Sequence, residues 1–130
     1  DSEDAILASK TGADAIIVSN HGGRQLDGAP SSIEVLPEII DAVGSKIEVH
    51  IDGGIRSGQD VVKSLCLGAS GTYIGRAFLY GLGALGKIGV AKSLHIIRNE
   101  LDKTMAFCGR KTVQELNRDN IYMQKPFTNY

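Results

Sequence analysis

"IEVHIDGGIRSG", residues 47–58, changes from an apolar run to a glycine turn and then to polar residues. The apolar run ends at Asp52 and predicts a short, buried β-strand. Ser57 predicts the N-cap of a helix, because apolar residues recur after it at helical spacing, at Val61, Val62, Leu65 and Cys66. A strand that passes through a short turn into a helix is the repeating unit of a parallel α/β fold.

The same unit recurs on both sides of this stretch. The runs "ADAIIVS" at residues 13–19 and "GTYIG" at residues 71–75 also predict strands, and each ends in glycine and polar residues. Helical patterns are predicted at residues 2–10 with Ser2 at the start, after Ser31 or Ser32, and late in the chain with an apolar face of Val90, Leu94, Ile97 and Leu101. The alternation predicts a parallel sheet whose strands are covered on both faces.

Two architectures fit this alternation, an open doubly wound sheet and part of a (β/α)₈ barrel. An open sheet concentrates its site at one switch point, whereas a barrel gathers site residues from several strand ends. Every predicted strand here ends in its own polar cluster, which favours the barrel. A complete barrel needs roughly 250 residues, so a chain of 130 residues supplies less than half of one. Because the chain starts at Asp1 rather than Met, we expect an N-terminal part to precede it.

Composition excludes several classes of partner. The 14 Lys and Arg residues are balanced by 15 Asp and Glu residues with no long charge run, so we predict no nucleic-acid partner. No apolar stretch reaches the length of a membrane helix, and no signal peptide is visible. Cys66 and Cys108 form no C-x-x-C pair and read as reduced, cytosolic thiols. We predict no metal site.

Arginines follow two neighbouring strands. Arg56 comes after a Gly-Gly turn at a predicted helix start, and Arg76 comes directly after the next strand. Two guanidinium groups and free helix N–H groups suit a phosphate, and the alternative is a pair of glycine turns with solvated arginines. The stretch "GLGALG" at residues 81–86 matches a dinucleotide-binding pattern, but it does not directly follow a strand. We predict a flexible connector there, before the final helix.

"VSNHGGRQLDG", residues 18–28, carries the other candidate chemistry. His21 exchanges protons near neutral pH, and Arg24 can bind a carboxylate through two parallel hydrogen bonds. A base beside a carboxylate anchor suits chemistry at the carbon next to an acid group, and the alternative is an ordinary polar turn. His50 and His95 are predicted to be structural or solvated. Cys66 is predicted to pack in the core, and no role is predicted for Cys108.

Three motifs together resemble one family. "SNHGGRQLDG", "DGGIRSGQDV" and "IGRAFLYGL", in this order and spacing, are similar to the FMN-dependent α-hydroxy-acid dehydrogenases and oxidases. The resemblance extends to about Tyr122, and the segments that begin "GRAFLY" and "ELDKTM" are most similar to bacterial L-lactate dehydrogenases. The resemblance implies that residues 1–130 are the C-terminal segment of a TIM barrel, strands six to eight with their helices. It also implies FMN as the cofactor and oxidation of an L-2-hydroxy acid, above all L-lactate, to the 2-keto acid.

The resemblance assigns roles residue by residue. His21 matches the active-site base and Arg24 matches the arginine that binds the substrate carboxylate. The positions that match flavin contacts are Ser19, then Asp52, Gly53, Gly54, Ile55 and Arg56 around the ribityl chain and phosphate, and Gly75 and Arg76 in a second phosphate loop.

Other parts of the family site are expected before Asp1: a lysine that faces the flavin, tyrosines that hold the substrate, and an aspartate that pairs with the histidine. We therefore predict that this chain alone neither binds FMN tightly nor oxidises lactate. The implied partners are the 2-hydroxy acid, an electron acceptor (oxygen, a cytochrome or a quinone) and further copies of the full-length protein. The implied location is the cytoplasm or the periphery of the inner membrane. The alternatives are another phosphate-binding barrel, such as an FMN-dependent isomerase or a phosphosugar enzyme, and a truncated, non-enzymatic gene product.

Overall fold

A computed structural model describes residues 1–122. It contains every strand and helix that the sequence predicts, although each strand is shorter than its apolar run. In chain order the elements are α1 (Ser2–Lys10), β1 (Ala15–Val18), α2 (Ser32–Val43), β2 (Glu48–Ile51), α3 (Gly58–Cys66), β3 (Gly71–Thr72) and α4 (Arg76–Phe107). Short 3₁₀ turns lie at His21–Gly23, Val113–Glu115 and Arg118–Asn120.

The strands form a parallel sheet in the order β1-β2-β3. Ala15 is opposite Glu48 at one end of the first pairing, and Val18 is opposite Ile51 at the other. Beyond the last pair, the N–H of Asp52 donates to the carbonyl of Val18 at 3.0 Å. Because the strands are parallel, all three carboxyl ends lie at the same edge of the sheet.

Only one face of this sheet is covered within residues 1–122. Val18, Val49 and Ile51 are buried in a core that is completed by residues of α1 and α2, among them Ala5, Leu36, Ile39 and Val43. On the opposite face Ile17, one residue before Val18, is 52% exposed. The prediction of strands covered on both faces is therefore wrong for these residues. A sheet with helices on one face is consistent with part of a barrel, in which the other face lines the interior.

Side-chain caps fix where the helices begin. α2 starts after Ser31 and α3 starts after Ser57, as predicted, and each cap is paired with an acidic side chain three residues later. α1 starts at Ser2, as predicted, and Asp1 is its N-cap, accepting the Asp4 N–H at 2.9 Å. Ser2 is the first helical residue, and its hydroxyl donates to the carboxylate of Glu38 in α2.

The glycine-rich stretch at residues 81–86 is an elbow within α4 rather than a flexible connector. Helical backbone continues through Ala84 and breaks at Leu85 (φ −141°) and Gly86 (φ 56°). After the break the chain folds back, so that a Cβ on Gly89 would lie 1.8 Å from the carbonyl oxygen of Gly81. Glycines are needed here because two helical backbones touch.

The predicted apolar face of α4 is correct only in part. Leu101 packs against a second core formed by Val62, Cys66, Met105 and Leu116. Leu94, predicted to lie on the same face, is 50% exposed because this core covers only the C-terminal end of α4. Among residues 1–122, none of the helices has the length and apolar content of a membrane-spanning segment.

Candidate functional site

A cavity of about 480 Å³ lies at the carboxyl edge of the sheet. All ten residues singled out from the sequence line it: Ser19, His21, Arg24, Asp52, Gly53, Gly54, Ile55, Arg56, Gly75 and Arg76. Six further lining residues had been assigned no site role: Ile17, Gly22, Tyr73, Ile74, Ala77 and Leu79. Strand alternation could have found Ile17, which shares a sheet face with the next-but-one residue Ser19. The cavity therefore joins the three strand ends in one site.

The turn after β1 presents His21. Its φ is +59°, and Gly22 (+68°) and Gly23 (+73°) are left-handed as well. The His21 N–H donates to Ser19 Oγ at 3.1 Å, and the His21 carbonyl accepts the N–H of Arg24 at 3.4 Å. Both side chains are exposed on the cavity side of the turn. One short loop thus places the imidazole of His21 and the guanidinium of Arg24 at the cavity.

The turn after β2 presents backbone and a cation. Gly53 and Gly54 have φ of +85° and +84°, and no atom lies within 4 Å of the position of a Cβ on Gly54. The backbone N–H groups of Arg56 and Ser57 both donate to the Asp60 carboxylate at 3.0 Å. These two backbone N–H groups are therefore already bonded to Asp60, whereas the Arg56 side chain remains exposed. The loop leaves open space beside its glycines and one guanidinium next to it.

The turn after β3 completes the site. Gly75 precedes α4 without a side-chain cap, and space for a Cβ on it is also open. Arg76 Nη2 lies 3.5 Å from the carbonyl oxygen of Gly22, so this side chain reaches from the start of α4 to the turn of His21. A second cavity of about 340 Å³ shares Arg56 and Arg76 and is otherwise lined by α4.

The site has an excess of positive charge. Arg24, Arg56 and Arg76 line the cavity together with a single carboxylate, Asp52. Within residues 1–122 none of these arginines forms a salt bridge; the ion pairs there join other side chains. Unpaired guanidinium groups around a concave surface favour anionic ligands. No group of three metal-ligating side chains occurs in the same part of the chain.

The remaining histidines and the cysteines lie outside this cavity. His50 Nε2 is 2.9 Å from Glu48 Oε2, and its ring lies 5.6 Å from that of Tyr73. His95, on exposed α4 surface, is bonded to Asn99 at 3.0 Å. Cys66 is buried in the second core as predicted, and burial raises the pKa of its thiol, with a smaller effect in the same direction from Cys108.

Comparison with known proteins gives a consistent result. The model of the family described as FMN-dependent dehydrogenase matches residues 1–123. A 2-hydroxyacid oxidase 2 from Bos taurus is 49% identical over 123 residues, 95% of this chain and 35% of that protein. An L-lactate dehydrogenase from Caulobacter sp. (strain K31) is 52% identical over 118 residues, 91% of this chain and 31% of that protein.

A solved structure is also similar to this chain in fold. The structure described as the monotopic membrane protein (S)-mandelate dehydrogenase superposes with a TM-score of 0.91 at 43% identity, covering 95% of this chain and 32% of that one. The present chain therefore spans about a third of the length of the relatives that it matches.

Proposed function

The chain belongs to the family of FMN-dependent dehydrogenases, and from this premise we propose that residues 1–130 are the C-terminal segment of a TIM-barrel flavoenzyme. In this proposal β1, β2 and β3 are barrel strands six, seven and eight. The enzyme oxidises an L-2-hydroxy acid, above all L-lactate, to the 2-keto acid. The observation that carries the proposal is the convergence of ten residues from three strand ends on one cavity rich in arginine.

The cavity fits FMN by two features of the chain itself. Gly54 and Gly75 leave space where a Cβ would stand, so a ligand can approach the backbone closely. Arg56 and Arg76 flank this space without a salt bridge in residues 1–122, and their two charges match a phosphomonoester. We assign Ser19 to the flavin, residues 52–56 to the ribityl chain and phosphate, and Gly75 with Arg76 to the phosphate.

The turn after β1 supplies the substrate side. Arg24 holds the substrate carboxylate through two parallel hydrogen bonds, which fixes the orientation of the adjacent carbon. His21 accepts a proton from the substrate, and both residues act from the same loop. FMN, when bound, accepts the two electrons of the oxidation. The protein's own contribution is therefore orientation of the substrate and proton transfer.

Partners and location extend the same proposal. The substrate is a small 2-hydroxy acid, the electrons pass to oxygen, a cytochrome or a quinone, and the full-length protein associates with copies of itself. We place the enzyme in the cytoplasm or at the periphery of the inner membrane. A relative described as a monotopic membrane protein supports the second location.

A chimera tests the activity. This chain replaces the matching 118 residues of the Caulobacter L-lactate dehydrogenase, so that the rest of that protein supplies the remainder of the barrel. We expect a yellow protein that oxidises L-lactate. His21→Ala should lower kcat by about 10²–10⁴-fold with flavin retained, and Arg24→Lys, which keeps the charge but loses the paired geometry, should mainly raise KM.

The control is His95→Ala, on exposed α4 surface outside the cavity, which should leave both constants unchanged. A chimera that binds FMN but oxidises no 2-hydroxy acid, or a His21→Ala variant of full activity, would refute the assignment. The 130-residue chain alone should be colourless and inactive, and a yellow, active preparation of it would contradict that expectation.

A further inference from the structure

The backbone at His21 needs support from its surroundings. Side chains other than glycine rarely adopt a positive φ, yet His21 has φ +59° and is followed by two left-handed glycines. Because all three residues are exposed or only partly buried, packing cannot hold this turn. Hydrogen bonds must do so, and two of the turn's three backbone N–H groups, those of Gly22 and Gly23, donate to one neighbouring residue.

Asn20 makes those bonds from both its side chain and its backbone. Its Oδ1 accepts the N–H of Gly22 at 3.1 Å, and its carbonyl accepts the N–H of Gly23 at 3.0 Å. Its Nδ2 donates to the carbonyl of Pro30 at 3.4 Å, and its own N–H donates to Ser32 Oγ at 3.2 Å. Asn20 therefore ties the turn that carries His21 to the start of α2.

Asn20 and Ser32 also lie close to the turn after β2. Ser32 is 3% exposed, so its hydroxyl is a fixed acceptor. A Cβ on Gly53 would lie 3.1 Å from both Asn20 Oδ1 and Ser32 Oγ, closer than ordinary van der Waals contact. Asn20, Ser32 and Gly53 thus meet at one point between the loop assigned to the substrate and the loop assigned to the flavin.

We propose that Asn20 is a positioning residue, which holds the His21 turn in its left-handed conformation and, with Ser32, fixes that turn against the loop of Gly53. The proposal rests on the function proposed above. Asn20 does not line the cavity, so it acts through His21 rather than on the substrate. A base displaced by an ångström loses much of its rate.

Variants in the chimera separate this role from general folding. Asn20→Leu keeps the size of the side chain and removes the acceptor, and Asn20→Asp keeps the acceptor for the Gly22 N–H. The matched control is Asn117→Leu, because Asn117 opens a similar 3₁₀ turn, accepts the Asp119 N–H at 2.9 Å and lies outside the cavity.

We expect Asn20→Leu to lower kcat by roughly 10–100-fold with FMN retained, and KM to rise as well, because the Arg24 backbone is bonded to His21 in the same turn. Asn20→Asp, compared at its own pH optimum, should recover most of the loss. Amide hydrogen exchange in the segment 20–24 of the substrate-free protein should accelerate at least about tenfold in Asn20→Leu and remain unchanged in Asn117→Leu.

The outcomes distinguish this proposal from the proposed function. A parent chimera that binds FMN but oxidises no 2-hydroxy acid refutes the function. An active parent with an unaltered Asn20→Leu variant, or with Asn20→Asp as impaired as Asn20→Leu, refutes the positioning role alone. If Asn20→Leu fails to fold, Ser32→Ala decides instead: a fall in kcat of about threefold or more with faster exchange at Asn20 supports the proposal, and unchanged values refute it.

Discussion

Gly58, next to the site, lies where two helix backbones approach so closely that a Cβ has no space. It is the first residue of α3, directly after the turn that carries Arg56, and α4 crosses it closely. A Cβ on Gly58 would lie 2.0 Å from the backbone nitrogen of Leu101 and 2.4 Å from the carbonyl carbon of Glu100. Both are backbone atoms, so no side-chain rotation can relieve the overlap. Gly58→Ala must push the two helices apart by more than an ångström.

Two losses determine how much Gly58→Ala lowers the free energy of unfolding. Overpacking of this kind costs about 1–3 kcal/mol. The Gly58 N–H also donates to the Glu100 carboxylate at 2.9 Å, and separation of the helices forfeits this bond, worth about 1.5–3 kcal/mol for a charged acceptor. Alanine returns at most about 1 kcal/mol through its helix propensity. We expect a net destabilisation of about 3 kcal/mol, which lowers Tm by roughly 10 °C in a domain of this size.

Thermal unfolding followed by far-ultraviolet circular dichroism measures the effect. Gly83→Ala is the matched control, because Gly83 is also helical and a Cβ there has nothing within 4 Å. The control should unfold at the same or a slightly higher temperature. A Gly58→Ala variant as stable as the original chain would show that α3 and α4 are not in backbone contact, and the placement of Arg56 would then be wrong as well.

Two smaller effects follow from the shifted pKa values. Hydrogen bonds from Ser31 lower the pKa of Glu34, so their contribution to stability is present above the unfolded-state pKa and is lost as pH falls through the folded-state pKa. Ser31→Ala should therefore destabilise the chain at neutral pH and hardly at all in strong acid; urea unfolding at both pH values checks this, and an equal loss at both would contradict it. Burial raises the pKa of Cys66, so iodoacetamide should modify Cys108 first, as peptide mass mapping would show; faster labelling of Cys66 would contradict its burial.

The features that the sequence predicted correctly depend on neighbours along the chain. Ser57 and Ser31 cap helices because the side chain of a residue three positions later completes each cap. The strands follow from short apolar runs, and parallel pairing then brings their polar ends to one edge. This is why local patterns could indicate His21, Arg24, Arg56 and Arg76 as site residues, whereas others, such as Ser19 and Ile55, came only from the family resemblance, and what each of them binds stays a prediction.

The features that were missed depend on contacts between distant parts of the chain. Gly81 and Gly89 touch because α4 folds back at Leu85, and nothing in a glycine-rich pattern distinguishes such an elbow from a flexible connector. Leu94 fits the helical period of its neighbours, but exposure depends on which surface α4 meets. Asn20 likewise reads as a turn residue until its contact with Ser32 is seen.

In the proposed barrel, the stability of this chain and its proposed function would both depend on one surface that residues 1–122 leave uncovered. Ile17 and Tyr73 line the cavity and are 52% and 49% exposed, because no described element covers that face of the sheet. In the proposed barrel this face borders the interior, and the strands that bury it also carry the remaining side chains of the site. Closure of the barrel would cover this face and remove its apolar surface from water. The neighbouring strands would also pair with the open edges of the sheet. Assembly of the barrel should therefore stabilise the chain by the same contacts that close the site around its ligand. The segment gains this stability only when its site is closed as well.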